Sequence, residues 1–296
     1  MKKLIKAIII LSATMLVIIA LHLYYLSRVT GNHNYPEDTF SDSLTNKTAL
    51  IIVAHDDDMA GSAGTISMLC SKGWVIRERC YYQQAGLYFK KDSIKNPIRK
   101  QSLQHAAKIQ GLSGIDPLDM NIRNDSMNEK SYMPMPYDQF ATHFKKDLLY
   151  RDISQYIKKY KPSIIFTLDN VMGGYGHPDH VVISQIVLEC CRDQKNDPDF
   201  TVKKIYQPVF TPEQAQHVLG KLPVFVEAKK VYQVQGMPLP DVAVTITNYA
   251  RQKKEVMKGY ITEQNSLRKI WPYYNWYPSW IYFRIFNKEY FRVITL

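Results

Sequence analysis

The stretch that decides the fold is Ala49-Leu50-Ile51-Ile52-Val53-Ala54-His55-Asp56-Asp57-Asp58-Met59, followed by small residues through Gly64. Its apolar, β-branched start predicts a buried strand, and the small and periodic apolar residues that follow predict a helix through Leu69. One imidazole and three carboxylates therefore lie on a strand-to-helix turn, where parallel α/β sheets bind ligands. Because adjacent carboxylates repel one another, the turn predicts a site for a divalent cation.

A second polar cluster follows another apolar run. The run Ile164-Ile165-Phe166-Thr167-Leu168 precedes Gly173-Gly174-Tyr175-Gly176-His177-Pro178-Asp179-His180. If the two apolar runs are adjacent parallel strands, both polar turns lie at one edge of the sheet. The sequence therefore predicts one shared site, although the spacing leaves open which of the three consecutive aspartates binds a metal.

Together the two turns resemble the PIG-L/LmbE family of zinc-dependent de-N-acetylases, whose signature is a His-Pro-Asp-Asp-Glu turn and a later His-x-Asp-His. The likeness runs from about residue 48 to the C-terminus, where Asn287–Arg292 resembles the family's closing segment. Two positions depart from the pattern: Asp56 replaces a proline and Met59 replaces a glutamate. The resemblance implies an α/β fold with a Rossmann-like, mostly parallel sheet flanked by helices.

The resemblance also implies the metal site and its chemistry. By alignment to the family, the zinc ligands are His55, Asp58 and His180, and Asp57 is the general base that helps water attack the acetamide carbonyl. Sites of two histidines and one aspartate also accept Fe²⁺ or Co²⁺. The missing glutamate at Met59 is an acid that would support the site, so its loss is a candidate cause of weakened catalysis.

Three further residues have implied roles. His177 matches the residue that stabilises the oxyanion and protonates the departing amine, and Asp179 would keep that imidazole charged and oriented. Arg99 matches the family's arginine on a helix predicted for Ile94–Gln110. We expect Arg99 to contact a substrate phosphate or hydroxyl, with an ordinary surface ion pair as the alternative.

The N-terminus is predicted to anchor the chain in a membrane. Residues 1–6 are a lysine-containing flank, 7–27 an uncharged apolar span long enough to cross a bilayer, 28–46 a linker, and 47–296 the single deacetylase domain. Leu21–Leu26 is a poor signal-peptide cleavage site. Lysines before the span favour a cytoplasmic N-terminus and an extracytoplasmic domain.

The remaining chain predicts ordinary secondary structure. We expect a strand at Trp74–Tyr82 and a long loop at residues 112–137. The other predicted elements are a helix at Asp138–Tyr160 with an apolar stripe of Phe140, Phe144, Leu148, Ile153 and Ile157, strands at Ser163–Leu168, Lys203–Phe210 and Val224–Val234, and helices at Asp179–Cys191 and Ala250–Leu267.

The amino-acid composition limits the classes of partner that the protein is expected to bind. The formal net charge of +11 comes from scattered lysines and arginines with no nucleic-acid motif, which favours solvated faces and attraction to anionic membranes over nucleic-acid binding. The four cysteines lack metal-site spacing and are predicted to be buried thiols, with one disulfide as an alternative. The aromatic segment Trp271–Phe291 is compatible with core packing, membrane contact or sugar stacking.

These observations predict a membrane-anchored zinc amidohydrolase that removes the acetyl group from an N-acetylglucosamine-type glycoconjugate. The sequence does not identify that conjugate. One alternative is a catalytically weakened family member that binds sugar or lipid at the membrane. A metal-dependent phosphoesterase is a third, which a second carboxylate-rich metal cluster would favour.

Overall fold

The computed structural model describes residues 1–31, 34–82, 92–125 and 130–296, with the main chain only for 92–96 and Asp119. The chain builds one mixed sheet with the strand order β3-β2-β1-β5-β6-β8-β7, and β4 also pairs with β2. The strands are β1 (Thr48–Val53), β2 (Val75–Tyr82), β3 (Gly114–Ile115), β4 (Leu118–Asp119), β5 (Ile164–Phe166), β6 (Lys204–Val209), β7 (Val242–Thr245) and β8 (Lys288–Thr295).

Strands β1 to β6 pair in parallel, whereas β8 runs antiparallel to both β6 and β7. The predicted Rossmann-like, mostly parallel α/β sheet is therefore confirmed. The helices are α1 (Lys2–Val29), α2 (Ala63–Ser71), α3 (Asp92–Gln110), α4 (Phe140–His143), α5 (Lys146–Tyr160), α6 (Gly173–Gly176), α7 (Pro178–Gln194), α8 (Pro212–Val218), α9 (Pro223–Val231), α10 (Ala250–Gly259), α11 (Gln264–Ile270) and α12 (Ser279–Ile285).

Helices cover both faces of the sheet. Helices α2, α3 and α10 pack against one another, and α5 packs against α7. The chain moves outward from β1 through α2 to β2, and in the opposite direction from β5 through α7 to β6. Right-handed crossovers therefore place α2 and α7 on opposite faces. Residues Ala49–Val53 of β1 are buried between the two layers.

The pairing of β1 with β5 determines where the two polar turns lie. These strands are neighbours, with Ala49 opposite Ile164 and Ile51 opposite Phe166. Both strands point their carboxyl ends the same way, so the polar turns that follow them emerge side by side, as the sequence predicts.

Some predicted elements are wrong. Val224–Val234, predicted as a strand, is helix α9, which starts at Pro223 in the favoured first position and buries Val224, Phe225 and Ala228. Its β-branched residues imitate a strand, but their burial follows helical spacing. The sequence also failed to predict β7 and β8 at the antiparallel edge.

The helix predicted for Asp138–Tyr160 is interrupted. Phe144 has extended backbone angles, so α4 ends there and α5 begins at Lys146. The break changes the phase of the apolar stripe: Leu149 is buried, whereas Leu148 is exposed. The other predicted stripe residues are buried, namely Phe140, Phe144, Ile153 and Ile157.

Other departures are smaller. The helix predicted for Ala250–Leu267 is divided into α10 and α11 by a 3-10 turn at Ile261–Glu263. The loop predicted for residues 112–137 contains β3 and β4, and its residues 126–129 lie outside the described part of the chain. All four cysteines are free thiols, three of them buried.

Val29 and residues 36–38 of the predicted linker 28–46 pack against the domain. Val29 is buried, Asp38 N donates to Ala243 O at 2.9 Å, and Ala243 N donates to Pro36 O at 2.9 Å. Residues 36–38 thereby extend the sheet beside β7. The division of the chain into anchor, linker and domain remains a prediction.

Candidate metal centre

The turn after β1 is organised by its own aspartate. His55 N donates to Asp58 Oδ2 at 2.8 Å, which turns the chain back on itself and directs both side chains to the sheet edge. His180 Nε2 lies 3.1 Å from Asp58 Oδ1 and 2.9 Å from His55 Nδ1. One donor atom from each of these three residues falls within 4.8 Å of the others. The structure thus brings together the three predicted metal ligands.

The second turn holds His180 through a backbone acceptor. His180 Nδ1 donates to Gly173 O at 2.8 Å, because a carbonyl oxygen only accepts. The proton is therefore on Nδ1, and Nε2 presents its lone pair toward His55 and Asp58. Gly173 has φ +56°, and a Cβ there would lie 2.5 Å from His180 Cβ. Only glycine fits this position.

Replacing Gly173 by alanine is expected to disrupt the site. The left-handed backbone alone costs about 1–2 kcal/mol, and the collision displaces His180 as well. We expect a lower melting temperature together with weaker metal binding, measured by calorimetry. Gly73→Ala is the matched control, since Gly73 has φ +83° and a Cβ added there would meet no atom within 4 Å. Equal metal affinity in the two variants would contradict this role of Gly173.

Asp169 supports the second turn and was missed by the sequence analysis. Its buried carboxylate accepts hydrogen bonds from the backbone N–H groups of Val171 at 3.0 Å, Met172 at 2.6 Å and Gly174 at 2.6 Å. An aspartate that follows a strand and precedes glycines commonly closes a turn in this way. That pattern was the available signal. Asp169 positions the Gly173 carbonyl and, through it, His180.

The electrostatics of the cluster favour a cation. Burial disfavours the imidazolium of His55, but the carboxylates of Asp58 and Asp179 outweigh burial and raise the pKa of His55 to about 10. Burial acts to raise the pKa of Asp58, yet His180 and His55 bring it well below its usual range. Two imidazole nitrogens and an ionised carboxylate that face one another are a donor set suited to a divalent metal.

A family comparison agrees with this geometry. Residues 50–191, which include both turns, match the family model described as PIG-L, GlcNAc-PI de-N-acetylase. The predicted resemblance is confirmed.

Solved structures share the fold of this chain. N,N'-diacetylchitobiose deacetylase from Pyrococcus horikoshii superposes with a TM-score of 0.56 at 17% identity, over 87% of each chain. The zinc inhibited form of teicoplanin deacetylase Orf2 gives 0.53 at 12% identity, over 84% of this chain and 98% of that one. GalB, a 4-carboxy-2-hydroxymuconate hydratase from Pseudomonas putida, superposes with a TM-score of 0.54 at 14% identity, over 84% of this chain and 96% of GalB. The fold is therefore shared by deacetylases and a hydratase, and does not by itself fix the reaction.

Arg99 connects the first turn to other parts of the fold. It is bonded to Asp56, with Nε donating to Asp56 Oδ1 at 2.8 Å, and Nη2 donates to Asp57 Oδ1 at 3.1 Å. Glu263 Oε1 lies 3.6 Å from Arg99 Nη1. Arg99 therefore holds a mostly buried ion pair rather than a surface one, and its contact with substrate remains a prediction.

The two departures from the family signature have a structural consequence. Met59 is buried in the core, so position 59 provides no acid. Asp56 is also buried, and it supplies the carboxylate that pairs with Arg99. Tyr260 OH donates to Asp56 O at 2.7 Å and further fixes this turn. The turn thus keeps a charged support without proline or glutamate.

Removing Arg99 should be costly because two inward-facing carboxylates would lose their cation. Arg99→Ala is expected to lower the free energy of unfolding by about 3–5 kcal/mol. Arg99→Lys should cost less, since it keeps the charge. The double variant Arg99→Ala/Asp56→Ala should recover part of the loss in urea unfolding. Additive effects of the two single substitutions would show that the pair is uncoupled.

Asp179 and His177 are arranged differently from the prediction. Asp179 Oδ1 accepts a 2.8 Å hydrogen bond from Arg123 Nη1, whereas it lies 3.9 Å from His177 Nδ1. His177 Nδ1 instead accepts from Asp179 N at 3.2 Å. Burial lowers the pKa of His177 well below its usual value. The neighbouring His180 and His55 also lower this pKa, and together these effects outweigh the carboxylate of Asp179, which acts to raise it. His177 is therefore a neutral imidazole with its proton on Nε2.

Arg123 is a second residue that the sequence analysis missed. It is almost wholly buried, and its Nε also donates to Asp125 Oδ1 at 2.8 Å. The side chain stacks on Phe144, with 4.6 Å from Cζ to the ring centre. No motif marked it, because it comes from a stretch predicted as loop.

The site opens into a cavity of about 590 Å³. One end is polar and is lined by His55, Asp57, Asp58, Arg99, His177 and His180. The other walls are largely apolar and include Phe210, Leu219, Val224, Met237, Trp271 and Phe286. A cavity of this size accepts a substrate of one to a few rings with an apolar portion.

Proposed function

We propose that this protein is a metal-dependent hydrolase that removes the acetyl group from an N-acetylglucosamine-type glycoconjugate, and that α1 anchors it in a membrane. The observation that carries the proposal is the convergence of His55, Asp58 and His180 donor atoms within 4.8 Å. The PIG-L family match and the fold shared with deacetylases support it.

The donor set fits a divalent metal held by His55, Asp58 and His180. Zinc is the proposed ion, with Fe²⁺ or Co²⁺ as alternatives that such ligands also accept. When bound, such an ion polarises a carbonyl and makes water more acidic.

The remaining steps belong to the chain's own residues. Asp57 lines the cavity beside the ligand cluster, and takes the proton of water as its oxygen adds to the acetamide carbonyl. Arg99 holds the Asp57 carboxylate in place through the 3.1 Å hydrogen bond. The carbon–nitrogen bond then breaks, the proton passes to the leaving nitrogen, and acetate and a free amino sugar result.

His177 is placed to stabilise the developing oxyanion. Its Nδ1 is occupied by the Asp179 N–H, which leaves the Nε2 proton available for donation into the cavity. Asp179, held by Arg123, is a positioning residue for this corner of the site.

Metal removal tests the proposal. We expect the purified protein to release acetate from a panel of N-acetylglucosamine conjugates, to lose this activity with a chelator and to regain it with zinc, iron or cobalt. The chelator should also lower the melting temperature, because ligands that bind only the native state stabilise it. Metal-loaded protein that releases no acetate across the panel would favour the sugar- or lipid-binding alternative.

The number of metal ions bound per chain distinguishes a deacetylase from the third alternative, a metal-dependent phosphoesterase. The described residues contain two overlapping donor groups, and His55 belongs to both: one adds Asp58 and His180, the other His177 and Asp179. A deacetylase with the proposed ligands binds one ion per chain. Two ions per chain together with phosphate release would favour a phosphoesterase.

A further inference from the structure

Helix α1 leaves a long apolar surface uncovered. It runs from Lys2 to Val29, and its residues up to Leu21 are almost all exposed. Twenty residues separate Lys2 from His22, which is about 30 Å at 1.5 Å per residue. That length equals the hydrocarbon thickness of a bilayer. If Lys2 lies at one membrane surface, His22 lies at the other.

The last turns of α1 are built into the catalytic domain. Leu26 and Val29 are buried in the core, and Thr211 Oγ1 donates to Thr30 O at 3.1 Å. Helix α1 also contacts α8 and α12. Cleavage of α1 as a signal peptide would remove core side chains, so this packing favours retention of the helix. It also fixes the orientation of the domain relative to the helix axis.

Aromatic residues of the C-terminal segment meet α1 at the level of His22. His22 Nδ1 and Tyr277 OH are 2.6 Å apart, and the His22 ring lies 4.6 Å from the Tyr273 ring and 5.9 Å from the Trp276 ring. We call the exposed residues of this region the aromatic collar: Tyr24, Tyr25, Tyr273, Trp276 and Trp280.

Hydrogen bonds to neighbouring residues hold in position the C-terminal segment that carries the aromatic collar. Tyr274 OH donates to Gln264 Oε1 at 2.6 Å, Tyr282 OH donates to Pro272 O at 2.9 Å, and Lys254 Nζ donates to Tyr277 O. Trp276 and Trp280 nevertheless expose 72% and 71% of their surface. The segment is thus fixed to the core while its two most exposed indole rings, those of Trp276 and Trp280, face solvent.

We propose that the aromatic collar is a membrane-contact surface that seats the catalytic domain against the lipid headgroups at the end of α1. Tryptophan and tyrosine favour the boundary between headgroups and acyl chains, and the collar surrounds the helix where that boundary falls. Exposed basic residues flank the collar in sequence, at Arg28, Arg268, Lys269 and Arg284. They favour an anionic lipid surface over a second, equally basic copy of the chain.

The aromatic collar follows cavity-lining residues in the chain. Ile270 and Trp271, which line the cavity, directly precede the collar residues of the C-terminal segment. A domain fixed in this way keeps its cavity at a constant height beside the membrane, whatever reaction the site performs. Loss of deacetylase activity would leave the aromatic collar and its contact with lipid unchanged.

Tryptophan fluorescence tests the proposal directly, because α1 has no tryptophan and Trp74 and Trp271 are buried. The full-length protein is reconstituted in phosphatidylcholine–phosphatidylglycerol vesicles that carry lipids brominated near the headgroup end of their acyl chains. We expect strong quenching of the wild type, and at least about two-fold less in Trp276→Phe/Trp280→Phe, since these are the only two of the four tryptophans that belong to the aromatic collar. The matched control is Leu148→Trp on α5 across the sheet, introduced into the Trp276→Phe/Trp280→Phe variant. The added tryptophan should not be quenched.

Two results would overturn the proposal. One is equal quenching of wild type and the double variant, which would place neither indole at the interface. The other is an unquenched wild type whose Trp276 and Trp280 emission changes with protein concentration, which would show that a second copy covers the collar. The double variant should keep the wild-type melting temperature, because both rings are exposed.

Discussion

Asp57→Asn is expected to lower the rate of acetate release by roughly 100- to 10,000-fold, the range for loss of a general base. Asparagine has nearly the same shape and still accepts the hydrogen bond that Arg99 Nη2 makes at 3.1 Å. It cannot take a proton from water. Asp57 is absent from the donor groups that converge on His55, so we expect metal content to remain close to one ion per chain.

The measurement is acetate release at saturating metal, with metal content determined on the same samples. Asp42→Asn is the control, because Asp42 forms an exposed ion pair with Lys72 far from the cavity lining. Loss of metal in Asp57→Asn would show that Asp57, rather than Asp58, is the ligand. This outcome would also settle the ambiguity that three consecutive aspartates leave in the sequence.

His180→Ala should abolish both metal binding and activity. His180 Nε2 lies within 3.1 Å of both Asp58 Oδ1 and His55 Nδ1, so its loss leaves only two of the three donors. Metal affinity should fall by more than the roughly 10- to 100-fold typical of residues that only support a ligand. Isothermal titration with zinc measures this effect.

His143→Ala is the matched control for His180→Ala. His143 is partly exposed and lies 3.1 Å from Asp125, outside the donor groups of the described residues. The His143→Ala variant should bind zinc as the wild type does. Wild-type affinity in His180→Ala would contradict the ligand assignment, whereas folding damage alone would appear as a lower melting temperature without a selective loss of metal.

The sequence predicted the parts of the fold that depend on local pattern. Strands β1 and β5 are buried apolar runs, and the polar turns that follow them stand out against them. Their convergence also follows, since adjacent parallel strands end at the same edge. The helix α9 was misassigned because Val224–Val234 has the composition of a strand while its burial has helical spacing.

Contacts between distant segments could not be predicted in this way. Arg123 reaches Asp179 across 56 positions, and Lys253 pairs with Glu289, which in turn accepts hydrogen bonds from Gly64 N and Thr65 N at the start of α2. Neither Arg123 nor Lys253 belongs to a local motif. Such pairs depend on the packing of whole elements, which no single stretch of sequence encodes.

The packing of α1 was missed for the same reason. An apolar span predicts a membrane helix but does not show where the helix meets its domain. Leu26 belongs to the same apolar stretch as the exposed residues before it and Val29 follows that stretch, yet both are buried by contacts with distant helices. Val29 and residues 36–38 of the predicted linker therefore pack against the domain.

The most direct test of the central claim is a crystal structure of the protein grown with zinc, with anomalous diffraction recorded on both sides of the zinc absorption edge. We expect one ion within about 2.0–2.2 Å of donor atoms from His55, Asp58 and His180. An anomalous peak elsewhere, or an arrangement in which His55 and His180 do not share one ion, would contradict it.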